Sequence, residues 1–373
     1  VMATQQQNIG EVLQFFNEAR RPVKSSDRVP GPFPYLGASG TVDYVEGFTH
    51  EGSYLCVSED GANLLTRSLP IAWVQDGKFW ANNHLQVLGG VSREHLTFFR
   101  YAIESTNIAA YVTGSAQPKL SKASLSSVKV PKFSRGEEER IGKLLSAIDD
   151  KIVANQTSIS KIDEILRALW QKELSLSNID VPLSSLASFI NGKAFTKGAS
   201  GTGRVVVRIA EMNSGIGSRT VYSDIDAAPD NVVDPGELLF SWSGTLMTKR
   251  WPYDQAIVNQ HIFKVVPNGQ LDLWALRQAI DAQLEYFQMI AAGKATTMGH
   301  IKRGDLDQEV EVPAQMSEET NQLGNSLWRL ATSLEIQNLQ LARTRDELLP
   351  LLMSGRITVG EAEDAADEAA SES

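Results

Sequence analysis

Two long stretches of this chain carry apolar residues at the same alternating spacing of four and three. No other feature limits its possible folds as much. In the first stretch they fall at Ile141, Leu145, Ile148, Ile152, Ile159, Ile162, Leu166 and Leu169. In the second they fall at Leu323, Leu327, Leu330, Leu334, Leu341, Leu348 and Leu351, offset from the first set by 182 throughout. This is the a/d seam of a coiled coil. At about 1.5 Å per residue each helix would run roughly 55–60 Å, and its apolar stripe needs a partner. The other helix of the same chain is the nearest one, which predicts an antiparallel pair. Asn155 and Gln337 are polar at matching places in mid-seam, and Thr344 is a further polar seam residue. A polar seam residue sets register at some cost in stability. Ser134 and Glu137 have the spacing of a capping box. Ser317 precedes Glu318 and Glu319, which suit a first helical turn. Gly355 suits a helix stop.

The repeat extends beyond the helices. Asn82-Asn83-His84-Leu85 is echoed by Asn259-Gln260-His261-Ile262, with the histidines 177 apart. Gly114-Ser115-Ala116-Gln117-Pro118-Lys119-Leu120 is echoed by the stretch from Gly293 to Met298, at an offset of 179. The expected organisation is a first domain at 1–133, a spacer helix at 134–178, a second domain at 179–315, a second spacer helix at 316–355 and an acidic, disordered tail at 356–373. The fold class is α+β. Two α/β domains, related by a pseudo-two-fold axis, are joined and separated by two long antiparallel coiled-coil helices.

Within the first domain, Pro34-Tyr35-Leu36 enters a turn at Gly37-Ala38-Ser39-Gly40. Ile71–Val74 and Lys78–Trp80 flank Gln75-Asp76-Gly77, a hairpin signal. A short amphipathic helix is expected over 95–103. In the second domain, 205–209 reads as a buried strand, 238–244 follows a Pro235-Gly236 turn, and 271–290 reads as a helix. Trp170 and Trp328 read as core or partner-facing anchors.

The single cysteine, Cys56, leaves no intrachain disulfide and no multi-cysteine zinc site, and the five histidines show no metal spacing. No apolar run is long enough to span a membrane. The first 21 residues lack the basic start and apolar core of a signal peptide. The expectation is a cytoplasmic protein.

A net charge of −10 argues at first against a nucleic-acid partner. The charge is uneven, however. Residues 1–135 hold 13 bases and 11 acids, net +2, whereas residues 316–373 hold 4 and 11, net −7. Two windows contain no acid. One holds Lys119, Lys122, Lys129, Lys132 and Arg135; the other holds Lys294, His300, Lys302 and Arg303. Each coincides with the second repeated motif of its half, and local potential governs how a polyanion docks.

Taken together, these motifs resemble the specificity subunit of Type I restriction-modification systems, over nearly the whole chain. In the first half the similar motifs are Gly37–Gly40, Glu59-Asp60-Gly61-Ala62-Asn63-Leu64, Asn82-Asn83-His84 and Gly114–Leu120. In the second they are Ser241-Trp242-Ser243-Gly244, Asn259-Gln260-His261, Ala295–Ile301 and the closing Arg345–Leu352. The resemblance implies a non-catalytic subunit with two target-recognition domains, each reading half of a bipartite site in double-stranded DNA. It also implies helices that set the gap and dock two methyltransferase subunits, with restriction/translocase subunits joining for cleavage. No cofactor is expected in this chain. S-adenosylmethionine would sit in the methyltransferase subunits, and magnesium and ATP in the motor-nuclease.

The expected DNA-contacting residues are led by Gln117 and Lys119. Gln suits the major-groove edge of adenine, and Lys suits guanine or phosphate. With them come Ser39, Asn82, Asn83, His84 and Ser115. In the second half they are Ser241, Ser243, Asn259, Gln260, His261, Thr296, Thr297 and His300, with Lys302, Arg303, Lys249 and Arg250 as phosphate contacts. Two rival readings remain. A coiled-coil scaffold explains the helices but not the doubled polar loops. A metal-dependent nuclease would use Asp76-Gly77-Lys78 with Glu59 or Asp60.

Overall fold

The computed structural model describes residues 5–114, 116–293 and 299–371. Ser115, Thr296 and Thr297 lie outside them. The chain divides into two compact units. Unit 1 comprises Val1–Ile152 with Gln340–Glu372, and unit 2 comprises Val153–Leu339. The long helices, Arg135–Leu176 and Glu318–Met353, each give part of their length to each unit.

Unit 1 contains strands β1 (Gln6–Asn8), β2 (Gln14–Phe15), β3 (Pro30–Gly37), β4 (Gly40–Val45), β5 (His50–Glu51), β6 (Tyr54–Ser58), β7 (Ala72–Gln75), β8 (Lys78–Ala81), β9 (Leu85–Gly89) and β10 (Lys129–Pro131). They form sheets of order β2-β9-β6-β7 and β4-β3-β8-β5, with a separate β1-β10 pair. Unit 2 repeats this pattern. Its strands are β11 (Asn178–Pro182), β12 (Ala187–Asn191), β13 (Arg204–Val207), β14 (Val221–Ser223), β15 (Val232–Val233), β16 (Leu238–Ser241), β17 (Met247–Arg250), β18 (Ala256–Val258), β19 (Ile262–Pro267) and β20 (Glu309–Pro313). The sheets are β12-β19-β16-β17, β14-β13-β18-β15 and β11-β20. Register repeats too. β6 and β9 pair Leu55 with Leu88 and Ser58 with Leu85, as β16 and β19 pair Leu238 with Val265 and Ser241 with Ile262. Each unit places one helix against its sheets, Arg93–Ser105 in unit 1 and Leu273–Ala282 in unit 2.

The expected turn at 37–40 joins β3 to β4, and Gly40 takes the positive φ of 102° that the turn requires. The expected hairpin across Gln75-Asp76-Gly77 does not form. β7 pairs with β6, whereas β8 pairs with β3 and β5, so Gly77, at φ 82°, carries the chain from one sheet to the other. Asp-Gly marks a sharp turn, but the strands on either side of it pair in different sheets. The expected strand over 205–209 ends at Val207. Ile209 instead opens a short helix whose N-terminus is closed by Glu211, which accepts from the Arg208 N–H at 3.0 Å. The helix expected over 271–290 is two helices, Leu273–Ala282 and Leu284–Gly293. The first ends in a tight turn where the Gln283 N–H donates to the Ile280 carbonyl.

The helices run antiparallel within each unit. In unit 1 Asp149 meets Arg345, and Phe133 lies beside Gly355. In unit 2 Asn155 meets Gln337, and Glu173 meets Thr320. Ser134 and Glu137 form the expected capping box, and Ser317 accepts from the Thr320 N–H. Asn155 is buried and donates to Gln337 Oε1 at 2.7 Å and Asn338 Oδ1 at 2.9 Å, so both amide hydrogens are used.

The first helix buries its seam at Ile141, Leu145, Ile148, Ile162 and Leu166. The second departs from the expected pattern. In its first half Leu323 and Leu330 are 45% and 49% exposed and the buried residues are Gly324, Trp328 and Ala331, one step along, whereas Leu341 and Leu348 farther on are buried as expected. The reason is local. A Cβ on Gly324 would lie 2.3 Å from the Trp274 ring, so the glycine lets the domain helix lay its indole against the long helix. Trp170 and Trp328 belong to this same core.

A shared ionic device ties each domain helix to a long helix. Arg100 and Tyr101 both reach Asp149 at 2.5 Å, and Arg345 joins at 2.8 Å. In unit 2 Arg277, which stands 177 positions after Arg100, bonds Asp163 at 3.1 Å. Burial alone would raise the Asp149 pKa, but the Tyr101 hydroxyl, Arg100 and Arg345 outweigh it and hold the carboxyl below its ordinary value.

The acidic segment expected to be unstructured forms a helix, Val359–Ser371. Thr358 and Glu361 cap its start, and Val359, Ala362 and Ala366 pack on the unit 1 core. Alanines at helical spacing supply an apolar stripe that net charge conceals.

Three outcomes follow. Gly324→Val should destabilise the protein by about 1–3 kcal/mol through overpacking against Trp274, measured by urea unfolding. Asp149→Asn should cost about 2–3 kcal/mol at neutral pH. A carboxyl with a lowered folded pKa stabilises above its unfolded value, near 3.8, and loses that contribution as pH falls through the folded one. The difference between the parent and Asp149→Asn should therefore shrink as unfolding is measured at progressively lower pH below about 4.

Candidate nucleic-acid interface

In unit 1 three chain segments meet where β6 ends and β9 begins. The Glu59 N–H donates to the His84 carbonyl at 2.9 Å, the Leu120 N–H to the Glu59 carbonyl at 2.7 Å, and the Gly61 N–H to the Pro118 carbonyl at 3.0 Å. A backbone bridge pairs Asp60 with Lys119. The Asn82 N–H reaches the Leu36 carbonyl of β3 at 3.1 Å.

Unit 2 contains the same frame. The Trp242 N–H donates to the His261 carbonyl at 3.1 Å, the Ile301 N–H to the Trp242 carbonyl at 3.0 Å, and the Gly244 N–H to the Gly299 carbonyl at 2.9 Å. Ser243 bridges His300, and the Asn259 N–H reaches the Val207 carbonyl of β13 at 3.1 Å. Backbone atoms alone build this frame, so the side chains on it are free to differ. Glu59 is exchanged for Trp242, Asp60 for Ser243 and Lys119 for His300, while His84 and His261 correspond.

The unit 1 frame is charged. Buried Glu59 is held by Arg20 at 2.6 Å and by Lys119 at 3.2 Å. Asp60 accepts from His84 Nδ1 at 2.8 Å. Ser39, Asn83 and Gln117 are exposed, and the exposed Arg21 and Lys24 follow Arg20 in the chain. Arg21 donates its N–H to the Ala81 carbonyl beside the Asn82–His84 segment. Sequence reasoning did not single out Arg20. The cluster Arg20, Arg21, Lys24 and Arg28 was its available signal.

The unit 2 frame is aromatic. Trp242 and His261 lie edge to face with centroids 4.8 Å apart, and Trp242 Nε1 donates to Asn191 Oδ1 at 2.8 Å. His261 holds φ at 74°, a strained backbone for a residue other than glycine. A groove of about 400 Å³ opens here, lined by Asn191, Trp242, Phe263, His300, Ile301, Lys302 and Arg303. Lys302 and Arg303 are exposed at its edge, as is Gln260 on the frame.

Several expected contacts are turned inward instead. Asn82 is buried and accepts from the His84 N–H, and Asn259 is buried and accepts from the Phe195 N–H. Ser241 is buried and bonds Met247 and Thr245 within its own turn, and Ser243 is buried too. Arg250 is the clearest correction. Its guanidinium is bidentate to Glu335 at 2.8 and 3.1 Å, lies 4.7 Å over the Trp328 ring, and is too buried to clamp phosphate. Neighbouring Lys249 is half-buried, and desolvation lowers its pKa.

The carboxylates of the nuclease reading are not gathered for a cation. Asp76 is engaged by Arg93 at 2.9 Å and Ser53 at 2.6 Å, and Glu59 and Asp60 are engaged as above. Among the described residues no cluster of three or more His, Cys, Asp or Glu side chains has metal-binding spacing. No helix among them is long and apolar enough to cross a membrane.

The chain is similar to known proteins on this point. A specificity subunit of Haemophilus influenzae, itself named putative, is 39% identical over 140 residues, 38% of this chain and 36% of that protein. The match therefore spans about a third of that relative's length. The crystal structure of a Type I restriction-modification system S subunit from M. genitalium shares the fold. It has a TM-score of 0.63 at 14% identity and covers 93% of this chain and 95% of that one. Residues 4–164 of this chain, which hold the charged frame and most of the first long helix, match the model of the Type I restriction modification DNA specificity domain.

Proposed function

We propose that this chain is the non-catalytic DNA-recognition subunit of a Type I restriction-modification complex, and that each unit reads one half of a bipartite duplex site. The observation that carries this reading is the frame built twice from backbone hydrogen bonds with its side chains exchanged. Two identical frames bearing Glu59, Asp60 and Lys119 in one case and Trp242, Ser243 and His300 in the other suit two unlike half-sites. Base edges in the major groove are distinguished by donor and acceptor pattern, and His84, Gln117, Gln260 and His300 supply both kinds of group. Lys119, Lys302 and Arg303 supply phosphate contacts that position without specifying.

The long helices act as the ruler between half-sites and as the docking face for two methyltransferase subunits. Val153, Ile165, Leu323 and Leu330 are large apolar side chains left exposed on them, the composition of a surface that a partner covers. Asn155 with Gln337 and Asn338 fixes the register of the ruler. S-adenosylmethionine belongs to the methyltransferase subunits. Magnesium and ATP belong to restriction/translocase subunits that join the complex. The setting is the cytoplasm.

A heptad inserted at matching places in both helices adds roughly 10 Å, or about three base pairs, and should lengthen the tolerated gap by that amount. An unchanged gap means that the helices do not set it. Affinity of the partner-bound chain for duplex DNA should fall steeply with salt, as phosphate neutralisation requires. A coiled-coil scaffold would show no salt-dependent binding.

A further inference from the structure

We propose that Asp60 and His84 form a base-reading dyad that recognises an exocyclic amine, adenine N6 or cytosine N4, in the half-site read by unit 1. The inference rests on the DNA-recognition reading above and adds the residue and the chemical group read.

The argument starts from the tautomer. An ionised carboxylate only accepts hydrogen bonds, so the 2.8 Å contact between Asp60 Oδ2 and His84 Nδ1 places the ring proton on Nδ1. With the proton so placed, an imidazole in its neutral form presents Nε2 as a lone-pair acceptor. The geometry is held from several sides. The His84 N–H donates to Asn82 Oδ1 at 2.7 Å, and the His84 carbonyl accepts from the Glu59 N–H at 2.9 Å. The Asp60 backbone bridges Lys119. Asp60 is 16% exposed and His84 48%, so the carboxylate is covered while the imidazole is open. An acceptor at this place pairs with the amines of adenine and cytosine and is mismatched to the carbonyl oxygens of guanine and thymine.

Unit 2 lacks the device. Ser243 occupies the frame position of Asp60, and His261 Nδ1 is buried without a hydrogen-bond partner among the described residues. The ring of His261 packs against Trp242 instead. The same histidine is thus an oriented acceptor in one unit and an aromatic packing element in the other, so the dyad acts in one half-site only.

The test uses the chain purified with its partner subunits, on a duplex recovered by selection from a random library, at pH 8, where an ordinary imidazole is neutral. One position in one half should require adenine or cytosine on one strand. His84→Ala should relax that position alone and weaken the preferred duplex about fivefold, the worth of one hydrogen bond. Replacing the base there by purine or 2-pyrimidinone, which lack the amine, should cost the parent the same factor and the variant nothing. Asp60→Ala frees the tautomer and should narrow the preference for amine over carbonyl while leaving the other half unchanged. Uniform weakening of His84→Ala on every sequence makes the side chain a phosphate contact and overturns the proposal, as does a His84-dependent requirement for guanine or thymine. A parent that selects no motif overturns the DNA reading and the dyad with it.

Discussion

The constraint on which the rest of the structure depends is that a buried turn must satisfy its own backbone. Where β6 hands over to β9, and β16 to β19, three segments are closed by N–H to carbonyl bonds that make no demand on side-chain identity. A leftover N–H or carbonyl there would cost about 1–3 kcal/mol, so the frame is under strong pressure to persist. The side chains projecting from it are under none. This explains how one set of loops holds Glu59, Arg20 and Lys119 in one unit and Trp242, His261 and Asn191 in the other. A recognition scaffold needs this separation, in which backbone fixes position and side chains fix chemistry.

The helices obey the opposite rule, because their side chains are tied to particular partners. Arg100 and Arg277 each reach from a domain helix to an aspartate of the long helix, and Arg250 adds a bidentate grip on Glu335. Each of these arginines holds a domain against a helical segment of its own unit by charge-assisted bonds, which are directional as well as strong. Gly324 lets Trp274 approach the helix backbone, which fixes the same relationship sterically. These contacts resist pivoting of each domain helix on the helical segment of its own unit.

The duplication was legible in the sequence because it rests on periodicity and on short motifs that the frame itself requires. Asn82 and Asn259 recur as buried amides whose Oδ1 accepts a backbone N–H, from His84 in one unit and from Phe195 in the other. Sheet partnership was not legible. Asp76-Gly77 specifies a turn, but whether the strands beside it pair with one another depends on distant strands. The seam shift at Gly324 was hidden for a related reason, since Leu323 and Leu330 fit the heptad and only the Trp274 ring decides which face is buried. Arg250 looked like a phosphate clamp because Lys249-Arg250 is basic, while its partners lie 85 positions away. The acidic terminal helix was masked by its charge, although Val359, Ala362 and Ala366 carry a helical stripe.

The most direct test is to select bound sequences from random duplex DNA with the chain and its partner subunits, and to read the enriched motif. The account predicts two short, unlike blocks separated by a gap of fixed length and free sequence. The blocks differ because the two frames carry different side chains. A single contiguous motif, two identical blocks, or no enrichment at all would contradict it.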